Sequence, residues 1–236
     1  MLCYHGVNEV ADGDDPRHII TSPRHFEAQL AHLARRGYRF RTATELLDRG
    51  AAQRPAAGTA VLTFDDGFAD ALEVVVPILR RREIQATFYV NPGRLGGQHE
   101  LVQGSAGRLL DASGVRALRA AGMDVGSHAL THRDLRGLDD RELARELQAS
   151  RAAIEALTEL PCRTLAYPFG LYDTRVTRAA AAAGYELAFA WVPGPWQALA
   201  APRLPAPPRH GAGRLALKLL GVRRPGRVLV GARPTV

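Results

Sequence analysis

Short apolar runs alternate with amphipathic stretches along most of the 236-residue chain. The apolar runs end in polar residues, which predicts a first short strand at residues 2–4 and buried strands at 60–64, 86–90, 123–126, 163–167 and 185–191. Apolar residues spaced three or four apart predict helices at 23–36, 44–48, 69–82, 114–121, 139–160 and 174–183. Strands that alternate with helices predict parallel βαβ units, and therefore an α/β barrel or a doubly wound sheet.

Polar residues at the carboxyl ends of several predicted strands favour the barrel. Asp65 and Asp66 follow strand 60–64, His128 follows strand 123–126, and a Tyr-Pro-Phe-Gly segment at 167–170 ends a third strand. Strands that deliver polar residues to one point from their carboxyl ends are typical of a (β/α) barrel. The predicted fold is an irregular (β/α) barrel formed by a single domain, residues 1–236.

Two features of the predicted helices and loops concern the surface. The amphipathic pattern of helix 139–160 places Glu142, Arg145 and Glu146 on its solvent side. An Ala/Gly/Pro-rich linker is predicted at 49–59. Four histidines lack any chemical context in the sequence and are predicted to be ordinary surface residues: His18, His25, His32 and His99.

Composition limits the classes of protein. With 46% hydrophobic residues the chain can bury one good core. Two cysteines, Cys3 and Cys162, are too few for a disulfide scaffold and have no metal-ligand spacing. The amino-terminal residues lack the pattern of a signal peptide, and no apolar stretch is long enough for a transmembrane helix. We therefore expect a cytoplasmic or membrane-peripheral location.

The net charge of +7 arises from an excess of basic residues after residue 200. Eight of the 31 basic residues lie after residue 200, which leaves 23 basic residues against all 24 acidic residues before it. The segment 211–236 is thus a basic C-terminal segment, either simply solvated or weakly attracted to an anionic membrane surface. Nucleic acid is not expected as a partner, because basic and aromatic residues are not interleaved.

Two short motifs carry candidate chemistry. One supplies the adjacent carboxylates of Asp65 and Asp66, and the other supplies His128 and His132 in an H-x-x-x-H spacing. One aspartate and two histidines form a ligand set for a divalent metal ion with open positions. The second carboxylate is then free to accept a proton, and a metal ion with a general base is what a hydrolase needs. Zn²⁺ suits these ligands best, and Ni²⁺ or Co²⁺ also fits.

These motifs resemble those of a known family. Residues 63–67, Thr-Phe-Asp-Asp-Gly, and residues 127–132, which begin Ser-His and end in His, resemble the first two motifs of polysaccharide deacetylases of the NodB-homology type, carbohydrate esterase family 4. The likeness runs from about residue 60 to residue 191, with a catalytic core expected at 60–210. Residues 4–7, Tyr-His-Gly-Val, and 166–170 look closer to the branch that trims exopolysaccharides such as poly-N-acetylglucosamine.

The resemblance implies a reaction and roles for residues. It implies hydrolysis of the N-acetyl amide of amino sugars in a polysaccharide or oligosaccharide, with release of acetate. Asp66, His128 and His132 would bind the metal ion, and Asp65 would be the general base. The segment that would contact the substrate consists of Tyr167, Pro168, Phe169 and Gly170.

The chain departs from the family pattern at two points. The third family motif carries an arginine that orients the catalytic aspartate, and Ala166 stands at the matching position. The last motif supplies a histidine as general acid, for which His5 and His210 are the candidates. We favour His5, because it follows a strand whereas His210 follows two prolines. These departures leave a second hypothesis open, in which the chain is a sugar-binding module that keeps the metal site without turnover.

Overall fold

A single curved sheet of parallel strands forms the centre of the structure, a computed structural model that describes residues 1–11, 13–50, 54–191 and 194–222. Within these residues every pairing between named strands is parallel. The strands are β1 Leu2–Tyr4, β2 Arg39–Arg41, β3 Thr59–Phe64, β4 Thr87–Val90, β5 Asp124–Ser127, β6 Thr164–Ala166, β7 Leu187–Ala190, β8 Ala201–Pro202 and β9 Leu204–Pro205.

The two ends of the sheet are consecutive in the chain. The strand order is β8-β7-β6-β5-β4-β3-β1-β9, with β2 added on β3. Only Arg203 separates β8 from β9, so one stretch, the closing segment 201–205, pairs with β7 through its first half and with β1 through its second. Its backbone N–H groups continue the ladder, since Arg203 donates to Ala190 at 2.9 Å and Leu204 donates to Met1 at 3.0 Å. The predicted irregular (β/α) barrel is confirmed.

Helices pack around the barrel, most of them near the predicted positions; the predicted helix 69–82 is shorter than expected, and the last helix was not predicted. They are α1 Pro23–Arg35, α2 Ala43–Asp48, α3 Val76–Arg80, α4 Ala112–Ala120, α5 Asp140–Thr158, α6 Thr174–Ala182 and α7 Ala212–Val222. Polar N-caps explain several starts: Ser22 accepts from the N–H of His25 before α1, and Asp139 accepts from that of Glu142 before α5. A π-helical turn, Ala71–Val75, precedes α3.

Alternate residues of the strands enter two different apolar clusters. Phe64, Phe88 and Leu165 belong to the large cluster shared with the helices. Tyr89 and Phe189 belong to a smaller cluster that includes residues of α2. Successive side chains of a strand point to opposite faces, so the larger cluster packs outside the sheet and the smaller one fills the barrel.

Two predictions about surface residues are wrong. Glu146 on α5 is only 5% exposed, because its carboxylate accepts hydrogen bonds from the loop that follows β5. His99 is only 3% exposed and lies against Asp66. Periodicity cannot detect either case, because each side chain is buried by a polar partner distant in sequence.

The remaining general expectations have mixed outcomes. Cys3 and Cys162 are buried and unbonded to each other, as predicted. No helix in the described part of the chain is long and apolar enough to cross a bilayer. The domain limits 60–210 and 211–236 stay predictions, and residues 223–236 lie outside the described residues.

Candidate active site

The predicted site residues come from the carboxyl ends of neighbouring parallel strands. His5 follows β1, Asp65 and Asp66 follow β3, and His128 follows β5. Because parallel strands end on one side of a barrel, these side chains meet there. His132 reaches the same point from the loop after β5.

Asp66, His128 and His132 form a compact group of ligand atoms. Oδ1 of Asp66 lies 3.3 Å from Nε2 of His128 and 3.3 Å from Nε2 of His132. Nδ1 of His128 donates to the carbonyl of Ala166 at 2.7 Å, so in the neutral ring Nε2 carries a lone pair directed at the carboxylate. Two acceptors that face each other need a cation between them or a proton, and this donor set fits a divalent ion.

Electrostatics keep the candidate ligand Asp66 ionised. Burial favours its neutral form, but the imidazoles of His128 and His99, which donate to it when the facing nitrogens are protonated, and the nearby His5 outweigh burial. The pKa of Asp66 is therefore held well below its usual value. A carboxylate that stays charged is the form that binds a metal ion.

The backbone N–H groups between the two histidines are each bound by a side chain. Oγ of Ser127 accepts from the N–H of Ala129 at 3.1 Å. Oε2 of Glu146 accepts from the N–H groups of Leu130 and Thr131, each at 2.9 Å. The serine that begins the S-H-x-x-x-H motif thus shapes the loop, together with a glutamate from α5.

The carbonyl groups of the same loop are also satisfied. The Nδ2 group of Asn91, just after β4, donates to the carbonyls of His128 and Ala129. The N–H of Gly93 donates to the carbonyl of Leu130 at 2.9 Å. The loop that presents His132 is therefore held in one conformation by groups from β4, β5 and α5.

Backbone strain is concentrated at this site. Seven non-glycine residues in the described part of the chain have positive φ, and four of them are at the site. They are Asp66 at 70°, Ala129 at 60°, His132 at 63° and Phe169 at 58°. Such conformations persist where surrounding contacts impose them, which is typical of functional sites.

Asp65 is held by an arginine that sequence reasoning missed. Nη1 and Nη2 of Arg203, in the closing segment, donate to Oδ1 and Oδ2 of Asp65, each at 2.6 Å. The Arg203 side chain has no exposed surface, and Nη1 also donates to Oγ1 of Thr63 at 3.0 Å. Burial alone would raise the pKa of Asp65, but Arg203 and neighbouring histidines outweigh burial and lower it.

Asp65 therefore has an arginine partner although the third motif of this chain lacks its arginine. Ala166 has a fully buried side chain, and its carbonyl holds His128 instead. A signal for Arg203 does exist in the sequence: it is the single charge in the apolar, proline-flanked run at 198–207. An isolated charge in a short apolar run indicates a paired, buried group.

His5 lies in the site. A ring nitrogen of His5 is within 4.8 Å of a carboxylate oxygen of Asp65, and Trp191 packs edge-on against the ring at 5.6 Å. The turn after His5 is fixed by Asp70, whose Oδ2 accepts from the N–H of Val7 at 2.8 Å. Burial lowers the pKa of His5 despite the opposing carboxylates of Asp66 and Asp65.

His210 has a different environment. It is exposed, and its backbone carbonyl accepts from Nε2 of Gln29 on α1 at 2.7 Å. The same Gln29 nitrogen donates to the carbonyl of Pro207 at 2.9 Å. His210 thus belongs to the outer surface beside α1, and the structure does not join it to the strand-end residues.

Of the four predicted substrate-contacting residues, Phe169 alone exposes its side chain. Phe169 is 43% exposed, and its ring lies 4.6 Å from that of His132. Tyr167 is fully buried and donates its hydroxyl to the carbonyl of Leu199 at 2.9 Å. Pro168 and Gly170 are buried as well. A substrate at the site would therefore meet the Phe169 ring.

Comparison with known proteins agrees with this fold. The family model for polysaccharide deacetylase matches residues 52–188. The chain belongs to the polysaccharide deacetylase family.

Individual relatives are distant. YxkH of Bacillus subtilis (strain 168), named for the same family, is 24% identical over 195 residues, 82% of this chain and 64% of YxkH. A chitooligosaccharide deacetylase of Bradyrhizobium sp. (strain ANU 289) is 29% identical over 173 residues, 72% of this chain and 68% of that protein. The matched region thus spans just under two thirds of the length of YxkH.

Solved structures share the barrel. Deacetylase PplD of Streptococcus pyogenes, in complex with acetate, aligns with a TM-score of 0.77 and 24% identity over 92% of this chain and 96% of PplD. IcaB from Ammonifex degensii aligns with a TM-score of 0.72 and 26% identity over 88% of this chain and 91% of IcaB.

Proposed function

We propose that the chain is a metal-dependent deacetylase that hydrolyses the N-acetyl amide of amino sugars in a polysaccharide or oligosaccharide and releases acetate. The observation that carries the proposal is the pair of adjacent aspartates in two different environments. Asp65 is bound on both oxygens by Arg203, whereas Asp66 faces two histidines. Family membership and the chitooligosaccharide deacetylase among the relatives support the same substrate class.

Asp66, His128 and His132 would hold the divalent ion, for which Zn²⁺ is our first choice and Ni²⁺ and Co²⁺ are alternatives. When bound there, the ion would polarise the amide carbonyl and lower the pKa of water. His128 is held for this role by the Ala166 carbonyl, and His132 by the constrained loop.

Asp65 would act as the general base. Arg203 keeps its carboxylate ionised. Oδ2 also accepts from the thiol of Cys3 at 3.4 Å, so Oδ1 is the oxygen whose second lone pair can accept a proton from the attacking water. The water oxygen bonds to the amide carbon as Asp65 takes the proton. The C–N bond then breaks, and His5 donates a proton to the leaving amine. The products are acetate and the free amino sugar.

Phe169 would position the sugar. An exposed ring beside His132 offers an apolar face for a sugar ring, and a backbone N–H near Phe169 is our candidate to stabilise the oxyanion. The buried Tyr167 would support this segment from below through its bond to Leu199.

The binding-module hypothesis has less support than the enzyme. It rested on Ala166 and on the unmatched final histidine. Arg203 supplies a guanidinium to Asp65, and His5 lies beside the same carboxylate. Weak membrane association through residues 211–236 stays a separate prediction.

The test combines metal content with product release. We expect the purified chain, stripped with a chelator and reloaded with Zn²⁺, to bind one equivalent of metal and to release acetate from a chitooligosaccharide. His132→Ala should lose bound metal and acetate release together, because two remaining protein ligands hold an ion poorly. His18→Ala, a change at an exposed histidine, is the matched control.

A parent chain that releases acetate equally well after complete removal of metal would contradict metal dependence. A His132→Ala variant that keeps one equivalent of metal would contradict the ligand assignment. A parent that binds metal and chitooligosaccharide without releasing acetate would favour the binding module.

A further inference from the structure

The segment 97–103, here called the His99 loop, lies against the candidate metal ligands. Its ends are tied down by Gln98, whose Nε2 donates to the carbonyls of Val102 at 3.1 Å and Gly104 at 2.9 Å. The N–H of His99 donates to the carbonyl of Gly107 at 2.7 Å. The loop is therefore a fixed structure rather than a free surface connection.

His99 contacts Asp66 through a nitrogen whose proton can be assigned. Nδ1 of His99 accepts from the N–H of Leu101 at 3.1 Å, so in the neutral ring the proton is on Nε2. Nε2 lies 3.3 Å from Oδ2 of Asp66, the oxygen that does not face the two candidate histidine ligands. Phe68 stacks on the imidazole at 4.9 Å and fixes its plane. In this tautomer His99 is a donor to Asp66 and has no lone pair for a metal ion.

The next residue contacts a second candidate ligand. Oε1 of Glu100 lies 3.5 Å from Nδ1 of His132, the ring nitrogen directed away from Asp66. The Glu100 carboxylate is oriented by an ion pair with Arg94. That His132 nitrogen is buried and has no hydrogen-bond partner among the described residues, so the Glu100 carboxylate at ion-pair distance is an acceptor available to it where water has little access.

We propose that His99 and Glu100 are positioning residues for the metal centre, His99 by orienting Asp66 and Glu100 by orienting His132. The role rests on the proposed metal site. Together with the Ala166 carbonyl on His128, each of the three ligands then has a partner on the atom that does not face the metal position. Two of these partners are adjacent in one loop, which links the geometry of Asp66 and His132.

The test measures Co²⁺ binding by the stripped full chain, by competition with a chromophoric chelator and by the visible spectrum of the Co²⁺ complex. His99→Gln retains a donor nitrogen near the position of Nε2. His99→Asn is too short to reach Asp66, although it can still accept from Leu101. Loss of such a partner typically weakens metal affinity about 10- to 100-fold. We expect that loss, with an altered Co²⁺ spectrum, for H99N, and near-parental affinity for H99Q.

Substitutions of Glu100 provide a second test that does not disturb the core. Glu100 is half exposed, so E100A and E100Q should fold even where H99N does not. We expect E100A to weaken Co²⁺ binding by a smaller factor than H99N, because its contact is longer and more solvated, and E100Q to retain more affinity than E100A. The surface change His18→Asn controls for the substitution itself.

Each outcome decides a separate point. If the parent binds Co²⁺ tightly and H99N and E100A bind it with the same affinity, the positioning roles are wrong. The assignment of the metal ligands would not be affected. Equal losses in H99N and H99Q would show that His99 only packs. A parent that binds no Co²⁺ would overturn the metal site itself, and with it the positioning roles.

Discussion

Two neighbouring aspartates differ in role because their neighbours differ. Asp65 meets a guanidinium and Asp66 meets imidazoles, although both follow the same strand. Asp66 has a positive φ of 70°, so the chain turns between the two aspartates and their carboxylates reach different partners. A change at either aspartate should therefore produce a distinct defect.

Asp65→Asn tests the base. The substitution keeps the size of the side chain and leaves Asp66, His128 and His132 in place, but it removes the proton acceptor. Loss of a general base typically costs about 10²- to 10⁴-fold in rate. We expect kcat on a chitooligosaccharide to fall by such a factor while one equivalent of Zn²⁺ remains bound. Turnover near the parental rate would show that Asp65 serves only as a partner for Arg203.

His5 and His210 can be separated by their pH dependence. A general acid must be protonated, so its removal abolishes the alkaline limb of the pH–rate profile. We expect His5→Ala to lose that limb, because His5 lies beside Asp65, and His210→Ala to keep it, because His210 lies outside beside α1. Profiles of kcat/KM for the two variants and the parent provide the measurement. Retention of the limb in His5→Ala would exclude His5 as the acid.

At the scale of elements, the loop after β5 depends on a helix more than ten residues away in sequence. Glu146 on α5 accepts hydrogen bonds from two N–H groups of this loop. The loop and the helix therefore form one unit, and the position of His132 depends on both.

Glu146→Ala should damage the metal site without touching a ligand. It leaves the N–H groups of Leu130 and Thr131 without their acceptor, at a cost of about 1–3 kcal/mol for each group that stays buried. We expect a lower melting temperature and weaker Zn²⁺ binding. Glu142→Ala, which removes a surface ion pair with Arg133 from the same helix, should change both little. Equal effects of the two variants would show that the Glu146 bonds are not needed.

Most of the longer elements, and the residues that meet at the candidate site, were predictable because their signals are local. Strand β3 and its two aspartates are contiguous, and His128 and His132 lie in one short motif. The positions of Arg203, Glu146 and His99 were not predicted, because each acts through a partner brought close only by the fold. The closing segment was missed for a related reason: β8 and β9 are two residues each, too short for a period-two pattern to appear.

At the scale of the whole molecule, the closing segment both completes the barrel and carries Arg203, the partner of the candidate general base Asp65. Arg203→Met would leave the Asp65 carboxylate buried without its partner. Breaking a buried ion pair in this way typically costs about 3–5 kcal/mol. We expect that loss in the free energy of unfolding at pH 7, measured with urea, and little change for Arg175→Met, which disrupts an exposed pair with Asp140.

The same variant has a predictable pH dependence. In the parent the pKa of Asp65 is lower in the folded state than in the unfolded state, where it is near 3.8. The ionised Asp65 therefore stabilises the fold above about pH 3.8. This stabilisation is lost as pH falls through the folded-state pKa. Without Arg203, burial raises the pKa of Asp65. The buried carboxyl then lowers the free energy of unfolding only at pH values where the same group is ionised in the unfolded chain. The difference in unfolding free energy between parent and variant should therefore narrow as pH falls from 7 to 4, because the variant's carboxyl is protonated in the folded state, and narrow further below about pH 4, where the parent loses its ion pair. A constant difference from pH 7 to pH 4 would argue against the ion pair as its source.

The position of Arg203 in the chain has a consequence for how the protein is made. Asp65 and Arg203 are 138 residues apart, so a ribosome has synthesised most of this polypeptide before the two can meet. A nascent chain that ends before residue 203 lacks both the segment that completes the barrel and the group that prepares the base. Truncated translation products that end before residue 203 should consequently be inactive even when both metal-binding motifs are present.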